Sequence, residues 1–212
     1  KTGLFLDQRE NRAAAAAYAR GRMLDCFSYN GGFALVMGRR CQEIIAFDVS
    51  EDAVARIKQN AARNGVAIDA RVGNVFDELR GLDRTGERFD TIVLDPPAFA
   101  KNKAAVTNAR AGYKEINLRA LKLLNPGGTL VTCSCSYHVN EATFAEIVYH
   151  ASVDGIRVDT QADLQPLSRC CLMLPGTEIE AAPRRPQPAA EVESVGHGGA
   201  HHLHALDLAA GC

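Results

Sequence analysis

The chain has 212 residues, 47% of them hydrophobic and 23% charged, with a formal net charge of −1. Those shares match an ordinary globular protein and exclude a collagen-like or wholly disordered one, and no run of about 18 apolar residues is present to span a bilayer. Seven cysteines scattered along the chain are an odd count that does not make a secreted disulfide framework, and Lys1-Thr2-Gly3 opens no signal peptide. A reducing, cytoplasmic setting is therefore expected, and the missing initiator Met reads as a fragment or a processed chain.

Taken in chain order, the alanines 13–17 with Tyr18 read as a helix begun near Asp7. Residues 22–27 form a short apolar strand, ended by Ser28-Tyr29-Asn30-Gly31-Gly32, and a helix opens at Phe33. Glu43 to Asp48 is the second strand. Ser50 then caps a helix whose apolar residues Val54, Ile57 and Ala61 recur at helical spacing until Asn64-Gly65. Residues 68–72 read as strand, 75–82 as helix, and 89–95 as a strand stopped by Pro96-Pro97. Asn108 to Leu124 is a long amphipathic helix that Asn125-Pro126-Gly127-Gly128 ends, Thr129 to Cys135 is the fifth strand, and Asn140 caps a helix reaching about Val153. Strands separated by helices mean an α/β fold: a doubly wound, mostly parallel sheet covered on both faces.

Past residue 161 the pattern fades. Five of the eight prolines fall there, followed by the glycine- and histidine-rich stretch 196–204. The division expected is a catalytic domain over 1–160 and a divergent or disordered tail over 161–212. Charge is also uneven: between Ala98 and Leu124, six cationic residues face Glu115 alone, a local +5. Such a segment reads either as a phosphate-attracting face or as a solvated helix surface.

In an open α/β sheet, ligands sit beyond the carboxyl ends of the strands. The first strand ends in a glycine turn that lacks the G-x-G-x-x-G spacing of a dinucleotide site, which disfavours an NAD-dependent dehydrogenase. Asp48 lies 23 residues after Asp25, the separation at which an acid accepts the hydroxyls of a ribose, though it also suits a helix start. At Gly73-Asn74-Val75 an amide can meet an adenine edge with Val75 on its face, or Asn74 is simply a turn residue. Asp95-Pro96-Pro97 directs a carboxylate into the cleft. Cys133 and Cys135 point the same way on a strand, yet no further Cys or His completes a zinc set, so no metal is expected.

The segments 2–12, Asp25 to Phe33, Asp48-Val49-Ser50, Asp95 to Lys101 and Cys133 to His138 together resemble class I S-adenosylmethionine-dependent methyltransferases with a Rossmann-like sheet. Within that class they are most similar to the RlmI-like family, which makes 5-methylcytosine in large-subunit ribosomal RNA; the likeness runs to about Asp159. It implies a covalent mechanism with Cys135 as nucleophile, Cys133 as second choice, and Asp95 on the cytosine N3/N4 edge. It assigns Phe27, Tyr29 and Gly31 to the methionine part of the cofactor, Asp48 to the ribose, Val49, Asn74 and Val75 to the adenine, and Gln8 and Arg9 to one side of the pocket. Asp95 borders the cofactor as well. Lys101, Lys103 and Arg110 would meet phosphates of the ribosomal RNA, and a homodimer is an open alternative to a single copy. Such proteins usually carry an RNA-binding PUA domain ahead of this segment.

Two departures from the family pattern stand out. Ala98 occupies the place where some RNA cytosine methyltransferases carry a second cysteine, and Asn74 stands where many relatives have Asp. The pattern also breaks after Leu174-Pro-Gly-Thr-Glu178, as a slipped reading frame would break it, with loss of the last strand expected. Other functions compatible with these residues are methylation of a guanine or an exocyclic amine, or a non-catalytic RNA-binding remnant.

Overall fold

The computed structural model describes residues 8–100, 103–155, 165–168 and 171–175. In chain order these form α1 (Arg9–Ala16), β1 (Arg22–Cys26), α2 (Gly32–Met37), β2 (Glu43–Asp48), α3 (Glu51–Asn64), β3 (Asp69–Val72), α4 (Val75–Arg84), β4 (Phe89–Leu94), α5 (Val106–Leu123), β5 (Leu124–Cys133), α6 (Glu141–Gly155), β6 (Gln165–Ser168) and β7 (Cys171–Pro175). The strands make one sheet in the order β3-β2-β1-β4-β5-β7-β6. Strands β1 to β5 are parallel; β7 runs antiparallel to both β5 and β6. The order reverses between β1 and β4, so the cleft of a doubly wound fold lies there.

Because successive strand residues point to opposite faces, each strand feeds two cores. Leu24, Cys26, Ile45, Phe47, Ile92, Leu94 and Leu130 pack under α4, α5 and α6. Met23, Ile44, Val93 and Val131 pack under α1 and α2, while Ala46 and Ala70 meet Val54 and Ile57 of α3. Helix boundaries follow local chemistry. The Ser50 hydroxyl accepts the Ala53 amide at 3.3 Å, and Gly65 closes α3 at φ +64°. The Asn140 side chain accepts the Thr143 amide at 2.9 Å, opening α6.

Two expectations are corrected. Strand β5 begins at Leu124 and runs through Asn125-Pro126-Gly127-Gly128 rather than starting after it, its pairing with β4 shifting between Phe89 and Thr91. It also ends at Cys133, so Cys135 lies on the loop beyond. Beyond β5 the sheet continues: β7 pairs with Thr129–Cys133 of β5, and β6 lies outside it. Both come from the stretch 161–212, expected to be a divergent or disordered tail. The break after Glu178 lies outside the described residues.

Helix α5 carries much of the cationic segment, and its charges are met by acids. Arg110 pairs with Glu146 at 2.9 Å, Lys114 with Asp154 at 2.7 Å, and Arg119 with Glu115 at 2.6 Å. The first two pairs tie α5 to α6. Those two pairs are solvent-exposed, and exposed ion pairs add little to stability and exchange partners readily.

Candidate active site

At the end of β1 the backbone turns through left-handed conformations at Phe27 (φ +62°), Tyr29 (φ +54°) and Gly31 (φ +79°). Only glycine enters that region without steric cost; each of the other two costs roughly 1–2 kcal/mol. Several bonds hold the turn. The Ser28 amide donates to the Phe47 carbonyl at 3.0 Å, the Gly31 amide to the Ser28 carbonyl at 2.8 Å, and the Tyr29 amide to Asp48 Oδ2 at 2.9 Å. Asp48 Oδ1 takes the Ser50 amide at 2.9 Å. Two backbone amides thus fix the carboxylate at the tip of β2, and beside it Val49 stands 75% exposed.

Asp25, one residue before the end of β1, is 1% exposed. Its Oδ2 accepts the Ser28 hydroxyl at 2.6 Å and the Ala34 amide at 3.2 Å, while Oδ1 has no hydrogen-bond partner among the described residues. Burial pushes this carboxyl up to about 7, those two bonds pull it down, Asp95 raises it and Arg12 lowers it. Arg12 itself is buried on α1, 5.5 Å above the Phe33 ring, and packs against Gly32, where a Cβ would come within 2.8 Å of the guanidinium.

On the other side of the switch point, the Phe99 ring gathers Tyr113 at 4.6 Å, Phe76 at 6.0 Å and Phe27 at 6.5 Å. The β1 turn, the start of α4, the loop after β4 and helix α5 therefore meet at one aromatic cluster. Asp95 begins that loop, half-buried, with its amide donating to the Cys26 carbonyl at 3.4 Å. Cys135 is half-buried on the loop after β5, between the buried Ser134 and Ser136. Cys133 is fully buried with its Sγ 3.2 Å from Cys171 Sγ, and this contact and burial push its thiol well above the ordinary range. The charges of Asp95 and Cys135 both act on it in the same direction. Two residues past Cys135, Tyr137 is 78% exposed, its ring edge-on to His138.

The remaining sequence-selected residues fall as follows. Asn74 caps α4, its Oδ1 accepting the Phe76 amide at 3.0 Å. Val75 is buried in the core with Leu79. Gln8 is buried and accepts the Asn11 side chain at 2.7 Å, and Arg9 is exposed at the start of α1. Lys101 and the side chain of Lys103 lie outside the described residues. Cys41 is half-buried and lines an open cavity of about 430 Å³ with Arg39, Gln42 and Asn64, at the opposite end of β2 from Asp48. Among the described residues, no group of three or more His, Cys, Asp or Glu side chains is arranged to hold a metal ion, and no helix is long and apolar enough to cross a membrane.

Residues 1–149 match the family profile of S-adenosylmethionine-dependent methyltransferases. The chain belongs to that family. Among curated proteins it is 45% identical over 163 residues to the ribosomal RNA large subunit methyltransferase I of Erwinia tasmaniensis, covering 74% of this chain and 41% of that one. It is 48% identical over 162 residues to the protein of that name from Tolumonas auensis, again 74% and 41%. The chain thus spans about two fifths of the length of these relatives. A solved structure from Streptococcus mutans, described as a SAM-dependent methyltransferase, superposes with a TM-score of 0.68 at 20% identity, over 82% of this chain and 49% of that one. At that identity the likeness concerns the fold.

The family's cofactor is S-adenosylmethionine, and the residues at the strand ends suit it. The buried, unpartnered Oδ1 of Asp25 is an acceptor that a cationic or N–H group would satisfy. The amide-held Asp48 carboxylate retains lone pairs for a diol, and Val49 offers apolar surface beside it. Asp25 and Arg12 were not among the residues selected from sequence, although both fall within the segments that carry the resemblance.

Proposed function

We propose that the chain is the catalytic unit of an enzyme that methylates C5 of a cytosine in large-subunit ribosomal RNA through a covalent Cys135 adduct. The observation that carries this reading is the contrast between two thiols. Cys133 is sealed against Cys171 and held protonated, whereas Cys135 is half-exposed on the loop that follows, at the strand ends that also carry Asp95. The relatives' identity as ribosomal RNA large subunit methyltransferases supports the RNA as substrate.

Bound S-adenosylmethionine supplies an electrophilic methyl group. Asp48 holds its ribose, Val49 and Asn74 flank its adenine, and Phe27, Tyr29 and Gly31 shape the seat of its methionine end. Val75 contributes from beneath, as a core residue, and Gln8 and Arg9 close the side near α1. Cytosine C5 is a weak nucleophile. The Cys135 thiolate adds to C6, and the electron pair of the C5=C6 bond moves onto C5, which takes the methyl group. Asp95, protonated, donates to N3 and so neutralises the charge that the addition drives into the ring. Alanine at position 98 cannot take the C5 proton, so a different base removes it; the pair re-forms C5=C6 and the thiolate leaves.

The base must be unstacked before Cys135 reaches it, and the exposed Tyr137 ring offers a face for a neighbouring base. Lys101, Lys103 and Arg110 contact phosphates, Arg110 exchanging its exposed partner Glu146 for one. An aromatic ring beside Asp95-Pro96-Pro97 also suits an exocyclic amine, a reaction that needs no thiol.

Incubation with RNA containing 5-fluorocytosine separates the two. Fluorine cannot leave C5 as a cation, so the covalent complex accumulates and shifts on a denaturing gel. The shift is expected for the parent chain and not for Cys135→Ala; methylation surviving in Cys135→Ala would overturn the cytosine reading.

A further inference from the structure

Tyr113 lies in the middle of α5, fully buried, its ring packed against Phe99 at 4.6 Å and edge-on to Phe144 at 5.3 Å. A tyrosine at helical spacing needs no hydroxyl to fill a core, and a buried phenol left without a partner is costly. Here the phenol oxygen is heavily used. The Ser134 hydroxyl donates to it at 3.1 Å, and it shares a hydrogen bond of 2.9 Å with the Ser136 hydroxyl. The Phe99 backbone also hydrogen-bonds to it. Ser136 Oγ in turn accepts the Ala100 amide at 3.0 Å, and Ser134 Oγ lies 3.4 Å from the Ser136 amide.

These bonds enclose Cys135. The residues on either side of it hang from one phenol, and the same phenol and Ser136 reach the loop that starts at Asp95. Cys135 follows the end of β5, where ladder bonds no longer fix the backbone. Asp95 likewise follows the end of β4. Their relative placement therefore depends on side-chain bonds, and the Tyr113 cluster joins both loops through side chains.

We propose that Tyr113 is a positioning residue for the methyl transfer: its hydroxyl, through Ser134 and Ser136, sets the Cys135 thiol against the pyrimidine edge held by Asp95. The proposal rests on the reading of Cys135 as nucleophile. Tyr113 touches neither substrate nor cofactor. Its effect is confined to geometry, in a reaction where a displacement of about 1 Å costs on the order of 100-fold.

The test is Tyr113→Phe in the full chain, which keeps the ring and removes the hydroxyl. Expected are a fall of about 10- to 100-fold in kcat and in the rate of 5-fluorocytosine adduct formation, with KM for RNA and cofactor affinity by calorimetry each within about twofold. Ser136→Ala breaks the same brace from its other end and should show the same split, and it stands in if Tyr113→Phe does not fold. The double variant should be no slower than the slower single one, since both remove one link. Parent-like kcat and adduct rates in both single variants would overturn the proposal, as would losses confined to KM or cofactor affinity. Failure of the underlying reading looks different: there the parent itself traps no fluorinated RNA and Cys135→Ala stays active.

Discussion

The Asp48 carboxylate holds the left-handed Tyr29 in place, accepting its amide at 2.9 Å across the gap between β2 and the β1 turn. One side chain therefore both shapes the glycine turn and presents its remaining lone pairs to whatever lies above it. Asp48→Ala removes the acceptor of two backbone amides, Tyr29 and Ser50, and should cost about 1–3 kcal/mol of stability. Calorimetry should register at least a tenfold loss of S-adenosylmethionine affinity, equivalent to about 1.4 kcal/mol. Unchanged affinity would remove Asp48 from the cofactor site.

Asp25 makes stability depend on pH. Its carboxyl is raised from an ordinary 3.8 to about 7, chiefly by burial. Below about pH 4 it is protonated in both folded and unfolded chains; between there and about 7 only the folded chain keeps the proton. This group's contribution to stability is thus greatest at the acid end and declines as pH rises to about 7, by up to ~1.4 kcal/mol per pH unit. Asp25→Asn keeps acceptors for Ser28 and Ala34 and should flatten that decline in urea titrations at pH 5 to 8. A parallel decline in both proteins would rule the group out as its source.

The two cysteines should separate cleanly. Cys135→Ala is expected to lower single-turnover methyl transfer by more than about 1,000-fold, a loss comparable to removing other covalent nucleophiles, while cofactor affinity stays near that of the parent. Cys133→Ala deletes a fully buried sulfur packed on Cys171 and should lower the melting temperature, by about 1–2 kcal/mol in stability terms, with methyl transfer retained. Reversed phenotypes would move the nucleophile to Cys133.

Arg110 bears on RNA rather than on folding. Arg110→Ala breaks an exposed pair with Glu146 and should leave the melting temperature nearly unchanged. RNA affinity should fall, with the slope of log affinity against log salt shallower by about 0.7–0.9. An unaltered slope would leave Arg110 as a tie between α5 and α6 alone.

Much of this layout was legible in the residues. Glu43 to Asp48 is an apolar run with a polar stop, and Ser50 and Asn64-Gly65 are caps whose chemistry is local, so strand β2 and helix α3 were read with their observed ends. Prolines misled. Pro166 sits on β6, the outermost strand, and Pro175 is the last residue of β7, opposite Thr129 at the end of its pairing with β5, positions at an edge and a strand end where proline is tolerated. Gly127 and Gly128 read as a turn, yet β5 runs through them because its pairing with β4 shifts register there. In the site, Asp48 announces itself by spacing, whereas Arg12 and Tyr113 do not. A helix residue that works by reaching another element looks, in sequence, like any other buried or amphipathic position.

Strand β7 lies against the whole outer side of β5 from Thr129 to Cys133, so the strand that delivers Cys135 has a neighbour on each flank. A truncated chain ending before Cys171 would turn β5 into a rim with open amide donors, prone to pairing with a second molecule and to aggregation. Solubility and methyl transfer would then be lost together, although no residue that meets the nucleotide had been removed.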